Sequence, residues 1–374
     1  MVKRVHIIGG GLAGLSAAVR LAEAGIELFI HEASGNLGGR CRSYYDSRLG
    51  EIIDNGNHLV LSGNQCVQDY LQTTDAIDTM WSPKKPEFPF FDLATGNRWT
   101  VQPNIYSILN MFLRGERLVP GSSLAEYLRA IRLVFAKRKT VTQCLDGPGP
   151  VFSKFWAPLA ISILNTETKN ASAGLFWSVI KETFIRGGAS SKPMIAANNL
   201  SDSFVAPAIR YIEQRNGRIF YKRRVKYLEF GKSRITGFSH SGEIHRVNDD
   251  EGVILALPID AAQSLLPNLI APTEFRPIVN GHFVVPQVFE TPFFIGLVGG
   301  VSDWIFGKNN LVSVTKSAAT SLVNVGEGDI AQTFWREICV ALGFGDIDLG
   351  SYRIIKEKRA TFMQSPEQLL RRPD

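Results

Sequence analysis

The sequence has 374 residues, of which 45% are hydrophobic and 20% are charged, a composition that is typical of a globular protein and excludes a disordered chain. Its 41 Lys and Arg against 35 Asp and Glu give a net charge of +6. This excess is mild and no basic run dominates, so we expect no nucleic-acid partner.

The first thirty residues have the pattern of a βαβ unit. We predict a buried strand at residues 2–8, a helix at residues 12–24 and a second strand at residues 27–31. The turn between the first strand and the helix carries the pattern GxGxxG, formed by Gly9, Gly11 and Gly14.

Each part of this turn has a physical role in binding a dinucleotide. Gly9 makes the tight turn, Gly11 lets the backbone approach a pyrophosphate, and Gly14 lets the helix pack closely on the strand. The helix begins at Leu12 and Ala13, where unpaired N–H groups and the positive end of the helix dipole favour phosphate binding. Strand, turn and helix therefore predict a nucleotide site.

Glu32 follows the second strand, 18 residues after Gly14. Its carboxylate is placed to accept hydrogen bonds from the ribose hydroxyls of an adenosine. A carboxylate disfavours a 2′-phosphate, which argues against NADP. FAD and NAD share this fingerprint, so the choice between them depends on the next segment.

That segment is Leu37-Gly38-Gly39-Arg40, with Arg42 two residues later. The glycine pair permits another close backbone approach, and the two arginines offer positive charge to the pyrophosphate or flavin; the alternative is a solvated basic loop. Together with the Glu-Ala-Ser after the second strand, the segment resembles the flavin-containing amine oxidase and phytoene desaturase superfamily. The resemblance favours FAD, and it implies an α/β fold in which a Rossmann-like FAD-binding domain carries an inserted α+β substrate domain.

Residues 52–63 follow, and in that superfamily this segment approaches the flavin ring. Gly56 would allow the approach; the alternative is a polar turn before a strand. Asp54 and His58 are the titratable groups here, and both are weak candidates for a catalytic role. The sequence does not identify the catalytic residues.

The pattern turns helical from about residue 104 to residue 168. Within residues 124–139, Leu124, Leu128, Ile131 and Phe135 recur at helical spacing. Two interpretations are open: a helix packed on its own domain with a solvated face, or a basic amphipathic helix on a membrane surface. The basic residues at the other positions are Arg129, Arg132, Lys137, Arg138 and Lys139.

The later segments predict a return to the nucleotide domain and then a sheet. We predict a helix at 204–214 and short strands at 218–220, 225–228 and 252–258; the resemblance implies that the backbone of Val225 meets the adenine. Residues 263–325 suggest antiparallel strands of a substrate domain with an apolar pocket. Proline and glycine interrupt residues 283–301, which predicts buried strands and not a membrane span. A final helix is predicted at 331–342.

The cysteines and histidines are scattered along the chain. No CxxC pair and no histidine at metal-ligand spacing occurs, so we expect no metal site. We also expect four reduced thiols, at Cys41, Cys66, Cys144 and Cys339.

A second resemblance is carried by segments spread over the chain: 54–64, 155–159 with 164–166, 272–276 through 280–283, and 356–362 with 366–368. Together they resemble one narrower family, the hydroxysqualene dehydroxylases. The resemblance implies an FAD-dependent oxidoreductase of squalene and hopanoid biosynthesis that reductively removes the hydroxyl of hydroxysqualene. Alternatives are another flavin-dependent isoprenoid desaturase, an amine oxidase, or a non-catalytic nucleotide-binding remnant.

On this basis we expect a cytoplasmic protein, either free or peripheral on the membrane. The predicted parts of the FAD domain are residues 1–65 and 199–262, with residues 331–374 as a return helix and a truncated C-terminal part. Residues 66–198 are assigned to a helical cap region, and residues 263–330 to the sheet of the substrate domain.

The resemblance also implies a late Gly-Asp motif that closes over the flavin. The sequence stops at Asp374, before such a motif. We therefore expect a truncated product that binds FAD weakly, and a continued reading frame that encodes the motif.

Overall fold

The computed structural model describes residues 2–102, 119–240 and 242–373. Residues 103–118, part of the predicted helical region, lie outside the described residues. The strands are β1 Arg4–Ile8, β2 Glu27–His31, β3 Ser43–Asp46, β4 Glu51–Asp54, β5 Val60–Leu61, β6 Met80–Trp81, β7 Phe88–Asp92, β8 Arg98–Val101, β9 Pro193–Ala196, β10 Arg218–Phe220, β11 Val225–Phe230, β12 Ile235–His240, β13 Glu243–Arg246, β14 Glu251–Leu255, β15 Phe275–Val298, β16 Trp304–Lys316 and β17 Tyr352–Phe362.

Most helices are short and lie between the strands. The described α-helices are α1 Leu12–Glu23, α2 Gln65–Thr73, α3 Leu124–Leu128, α4 Val141–Leu145, α5 Ala157–Leu164, α6 Ala173–Ile180, α7 Ala206–Glu213, α8 Ile259–Leu265, α9 Glu327–Leu342 and α10 Pro366–Leu369. The 3₁₀ segments are Ile77–Thr79, Arg129–Phe135, Gly188–Ser190 and Thr320–Leu322, and the π-helical segments are Phe152–Trp156, Lys181–Ile185 and Ser201–Val205.

One half of the molecule contains a four-stranded sheet in the order β10-β2-β1-β14, and all its strand pairs are parallel. We call it the nucleotide half, after the predicted nucleotide site that it carries. The predicted β1, α1 and β2 are confirmed to within two residues. The outer strands come from beyond residue 217, so two distant parts of the chain build one sheet. Leu15, Ala18, Val19 and Ala22 of α1 are buried in the core of this half, as amphipathic spacing requires.

A second layer covers this sheet. Strands β11, β12 and β13 form an antiparallel sheet, and its Leu228 and Phe238 share a core cluster with Ile8 of β1. The layer carries Val225, which pairs in register with His240. The side chains in the space between β1 and β12 are therefore enclosed by the two sheets.

The other half, which we call the substrate half after the predicted substrate domain, is built on one long strand. β15 pairs antiparallel with β16 and β17 and parallel with β7, and β8 continues the sheet. The predicted antiparallel strands are confirmed, and α9 packs its Phe334 and Ile338 against this sheet. β17 pairs antiparallel with the first part of β15, from Phe275 to Phe283, a pairing that the sequence pattern did not predict. The assignment of residues 331–374 to the FAD domain stays a prediction.

The amphipathic segment at residues 124–139 differs from the predicted single helix. It is α3 followed by a 3₁₀ segment, in which three residues make one turn and residues three apart share a face. Tyr127, Leu133 and Ala136 are therefore buried, whereas Leu128, Ile131, Val134 and Phe135 are exposed. The row of apolar residues predicted from α-helical spacing is thus largely on the surface.

Two further observations concern the cysteines and membrane-spanning helices. All four cysteines are free. Among the described residues, the structure contains no helix long and apolar enough to cross a membrane.

The close approach of α1 to β1 generates a test of stability. A Cβ added at Gly14 would lie 1.9 Å from the carbonyl oxygen of Gly9, so we expect Gly14→Ala to lower the free energy of unfolding by about 1–3 kcal/mol. Gly328→Ala is the matched control, because the atom nearest to a Cβ there is 3.8 Å away and the site lies inside α9. Its stability should be unchanged or up to about 1 kcal/mol higher. Equal urea-unfolding curves for both variants would contradict this account.

Candidate functional site

Two glycine turns lie side by side at the carboxyl end of β1. The N–H of Gly38 donates to the carbonyl of Gly10 over 2.8 Å, and Gly11 and Gly38 form a parallel bridge. Gly38 and Gly39 have φ values of +95° and +59°, in the left-handed region that favours glycine. The two motifs found in the sequence therefore form one continuous backbone surface.

The three glycines of GxGxxG are required for different reasons. Added Cβ atoms at Gly9 and Gly14 would collide with the protein, at 2.3 Å from the carbonyl oxygen of Ala256 and 1.9 Å from that of Gly9. At Gly11 no atom lies within 4 Å of an added Cβ. The fold therefore leaves Gly11 as an open cradle beside the start of α1.

The start of α1 has free hydrogen-bond donors. No side chain caps it at Gly11, so the first backbone N–H groups, including those of Leu12 and Ala13, have no partner within the helix. Leu12 is half-buried and Ala13 is exposed. This is the arrangement that binds phosphates at a helix N-terminus.

Glu32 lies at the edge of the same surface and is half-buried. The N–H of Gly10 donates to its Oε2 over 2.8 Å, and the N–H of Ser34 donates to its Oε1 over 2.7 Å. The carbonyl of Glu32 accepts from the N–H of Arg223 over 2.7 Å, two residues before Val225. Backbone contacts thus fix the orientation of the carboxylate and bring it near β11.

The arginines of the second motif behave differently from each other. Arg40 is exposed and its Nη1 donates to the carbonyl of Ala360 on β17, so it connects the two halves. Arg42 is half-buried, and its carbonyl accepts from the N–H of Asn55 over 2.9 Å. Their contact with a cofactor stays a prediction.

Gly56 packs against the long strand of the other half. An added Cβ would lie 3.1 Å from Nδ2 of Asn280, so packing within the protein already restricts this position. The approach of Gly56 to a flavin stays a prediction.

Asp54 joins three segments that are distant in sequence. Its Oδ1 accepts from Oγ of Ser43 over 2.6 Å and from the N–H of Leu200 over 2.9 Å. Its Oδ2 lies 3.3 Å from Nζ of Lys308, which also donates to the carbonyl of Asn198. The carboxylate is buried and fully engaged. The sequence analysis singled out Asp54 but not Lys308, its cationic partner, and a catalytic role of Asp54 stays a prediction.

Asp54, Lys308 and Leu200 line a cleft that is open to solvent. The ring of His58 lines the same cleft and is exposed. The lining residues include Asp54, His58, Lys308, Ile195, Leu200 and Phe306.

A buried polar row on β15 and β16 borders the cleft, and its Ser313 is one of the lining residues. Register pairs Asn280 with Thr315 and His282 with Ser313. Thr315 Oγ1 donates to Oδ1 of Asn280 over 2.8 Å, and Nδ1 of His282 lies 2.7 Å from Oγ of Ser313. Burial lowers the pKa of His282 to about 4. The sequence signal for this row was the presence of polar residues at alternate positions in two apolar strands. Only the strand register shows which of these residues pair with each other.

Comparison with known proteins gives a consistent result. Residues 12–348 match the family model described as flavin containing amine oxidoreductase. The chain is 36% identical to proteins named hydroxysqualene dehydroxylase from Rhodopseudomonas palustris and Sinorhizobium fredii, over the whole chain and 90% and 89% of their lengths. It also superposes on a putative protoporphyrinogen oxidase from Exiguobacterium with a TM-score of 0.66 at 13% identity, covering 99% of this chain and 90% of that chain, a likeness in fold alone.

The contacts of Asp54 generate a prediction. Asp54→Ala leaves Lys308 without its carboxylate and two other donors without an acceptor, so we expect a loss of about 3 kcal/mol in the free energy of unfolding. Asp69→Ala is the control, because the pair of Asp69 with Arg20 is on the surface; it should cost no more than about 1 kcal/mol. Chemical unfolding of both variants measures the difference, and a similar small loss in each would show that Asp54 does not join the segments energetically.

Proposed function

The chain belongs to the flavin-containing amine oxidoreductases and, within them, to the hydroxysqualene dehydroxylase family, and from this premise we propose that it reductively converts hydroxysqualene to squalene with FAD. The observation that carries the proposal is the 36% identity over the entire chain. This identity extends through both halves of the chain, which favours an enzyme over a nucleotide-binding remnant. The protein is therefore a flavin-dependent oxidoreductase.

The residues present fit a flavin dinucleotide. Gly11 leaves open space where a pyrophosphate needs it, and the uncapped start of α1 offers its N–H groups to the phosphates. The fixed carboxylate of Glu32 would hold the ribose hydroxyls, and the backbone of Val225 would lie against the adenine. Arg40, Arg42, Gly38, Gly39 and Gly56 complete the proposed set.

The reaction exchanges a hydroxyl for hydrogen at an allylic carbon. The C–O bond of the substrate breaks, a C–H bond forms, and one proton and one hydride are consumed as water leaves. A reduced flavin supplies the hydride when bound. What remains for the protein is to protonate the leaving hydroxyl, hold the hydrocarbon and exclude water.

Lys308 is the residue we assign to the leaving hydroxyl. Its ammonium lines the cleft and is oriented by Asp54 and by the carbonyl of Asn198, so it can donate a hydrogen bond or a proton there. His58 lines the same cleft and is the second candidate for the acid. Phe306 and Ile195 give the cleft apolar walls for an isoprenoid.

The proposed function is tested with the full chain supplied with excess FAD and a reductant. We expect wild-type protein to convert hydroxysqualene to squalene, detected by mass spectrometry. Gly11→Val should fold normally but contain no flavin and form no product, because its side chain occupies the cradle. Gly350→Val, at an exposed glycine with its nearest neighbour 3.6 Å from an added Cβ, should behave as wild type.

Two outcomes would contradict different parts of this assignment. Wild-type flavin content in Gly11→Val would remove the pyrophosphate from this turn. Flavin-loaded wild-type protein that leaves hydroxysqualene unchanged would refute the substrate assignment while leaving the cofactor site intact.

A membrane surface is the proposed source of the substrate, since a long isoprenoid is insoluble in water. The 3₁₀ segment Arg129–Phe135 exposes Ile131 and Phe135 by 58% and 78%, beside the exposed bases Arg132 and Lys137. Exposed apolar side chains next to positive charge suit an anionic bilayer. This arrangement supports peripheral membrane binding over packing of the same face in the core.

The double variant Ile131→Ser/Phe135→Ser tests the surface. Burial of such side chains contributes about 1.5–3 kcal/mol each, so we expect at least about a tenfold loss of binding to anionic liposomes in sedimentation. Ile270→Ser, which changes a 70% exposed apolar residue elsewhere, is the control. Raised salt should weaken wild-type binding through screening. Equal sedimentation of the double variant and wild type would refute the proposed contact.

A further inference from the structure

Four of the six histidines of the chain lie together between the two sheets of the nucleotide half. His6 is on β1, His31 on β2, His240 on β12 and His245 on β13. The ring centroids of His6 and His245 are 4.5 Å apart, and those of His31 and His240 are 6.2 Å apart. Neither the proposed reaction nor the proposed cofactor contacts use this cluster.

We propose that His6, His245 and Glu251 form a binding site for one divalent transition-metal ion of the zinc class. One ligand atom from each residue lies within 4.8 Å of the other two. Imidazole nitrogen and carboxylate oxygen are the ligands such ions accept. This differs from the expectation drawn from sequence spacing, because the three ligands come from three separate strands.

The first argument is that the cluster contains nitrogen atoms without partners. His6 is fully buried, and its Nε2 has no hydrogen-bond partner; Nε2 of His245 has none either. Leaving a buried polar atom unsatisfied costs free energy, so such atoms mark sites where a ligand is expected. Both atoms belong to the proposed ligand set.

The second argument is the spacing between His6 and Glu251. Nε2 of His6 and Oε2 of Glu251 are 3.6 Å apart, which is too far for a good hydrogen bond. Bonds of about 2.0–2.1 Å in a tetrahedral arrangement place two ligand atoms roughly 3.3 Å apart. The gap therefore suits a bridging metal ion better than a shared proton.

The surroundings provide support beyond the ligands. Nδ1 of His6 lies 3.2 Å from Nε2 of His31, so a proton on Nδ1 has an acceptor while Nε2 is free to bind a metal. A second residue that fixes the ring in this way is typical of metal-binding histidines. Asn248 N–H donates to Oε2 of Glu251 over 3.0 Å and holds that carboxylate in place.

An ion pair also holds the proposed carboxylate ligand in place. Arg4 bridges Glu27 and Glu251, with distances of 2.7 Å to each carboxylate. A bound ion would connect β1, β13 and β14 and thereby fasten the covering sheet onto the parallel sheet.

The experiment uses untagged full-length protein, because a polyhistidine tag would compete for metal. The protein is stripped with a chelator and titrated with Co²⁺, whose visible d–d absorption reports coordination, and Zn²⁺ is then added to displace it. We expect saturation at one ion per chain. We also expect no thiolate charge-transfer band, since that band would place the ion on a cysteine such as the exposed Cys66.

His245→Gln removes one ligand from the edge of the cluster and should weaken Co²⁺ binding at least tenfold. His240→Gln is the matched control, since it removes a histidine of the same cluster from outside the ligand set and should leave affinity unchanged. Circular dichroism and flavin content verify that both variants fold. Unchanged affinity in His245→Gln, or no saturable binding to wild type, would overturn the proposal.

X-ray absorption at the zinc edge of the wild-type protein tests the site without any variant. We expect a nitrogen and oxygen shell with imidazole scattering from two histidines. A shell containing sulfur, or one without imidazole, would place the ion elsewhere and overturn the site. These readouts do not depend on turnover of hydroxysqualene, so they are independent of the proposed function.

Discussion

The buried carboxylate of Asp54 holds the two halves of the molecule in one arrangement. It accepts from Ser43 in the first part of the chain and from Leu200 in the middle, and it pairs with Lys308 on β16. Such a charge is stable away from water only while its partners remain in place. The cleft between the halves consequently has a fixed geometry, and the same interaction orients the lysine that we assign to the leaving hydroxyl.

The nucleotide half relies on backbone geometry to a greater degree than on side chains. Gly38 reaches the carbonyl of Gly10, Glu32 is held by the N–H groups of Gly10 and Ser34, and the open space at Gly11 faces an uncapped helix start. Arg40 also contacts the carbonyl of Ala360 on β17, and its contact with a cofactor stays a prediction. In the proposed cofactor site, the unpaired N–H groups at the start of α1 would bind the phosphates.

The long strands β15 and β16 of the substrate half carry both polar and apolar residues. Asn280 pairs with Thr315 and His282 with Ser313 in the interior. Phe306 and Ser313, both on β16, line the cleft. In sequence, the exposed apolar residues of the 3₁₀ segment lie between the two parts of the chain that build the nucleotide half.

The sequence by itself determined the βαβ unit, the glycine turns, Glu32 and the family, because these features depend on short spacings and on local backbone preferences. The domain boundaries and the cofactor contacts remain predictions. Tertiary structure alone decided that Lys308 meets Asp54, that β17 joins β15, and that His6, His245 and Glu251 come together. It also decided which face of residues 128–135 is exposed. A 3₁₀ helix has three residues per turn, so the spacing of 3.6 residues per turn expected for an α-helix does not apply there. Such contacts depend on strand register and on packing between distant segments, neither of which is encoded in any local pattern.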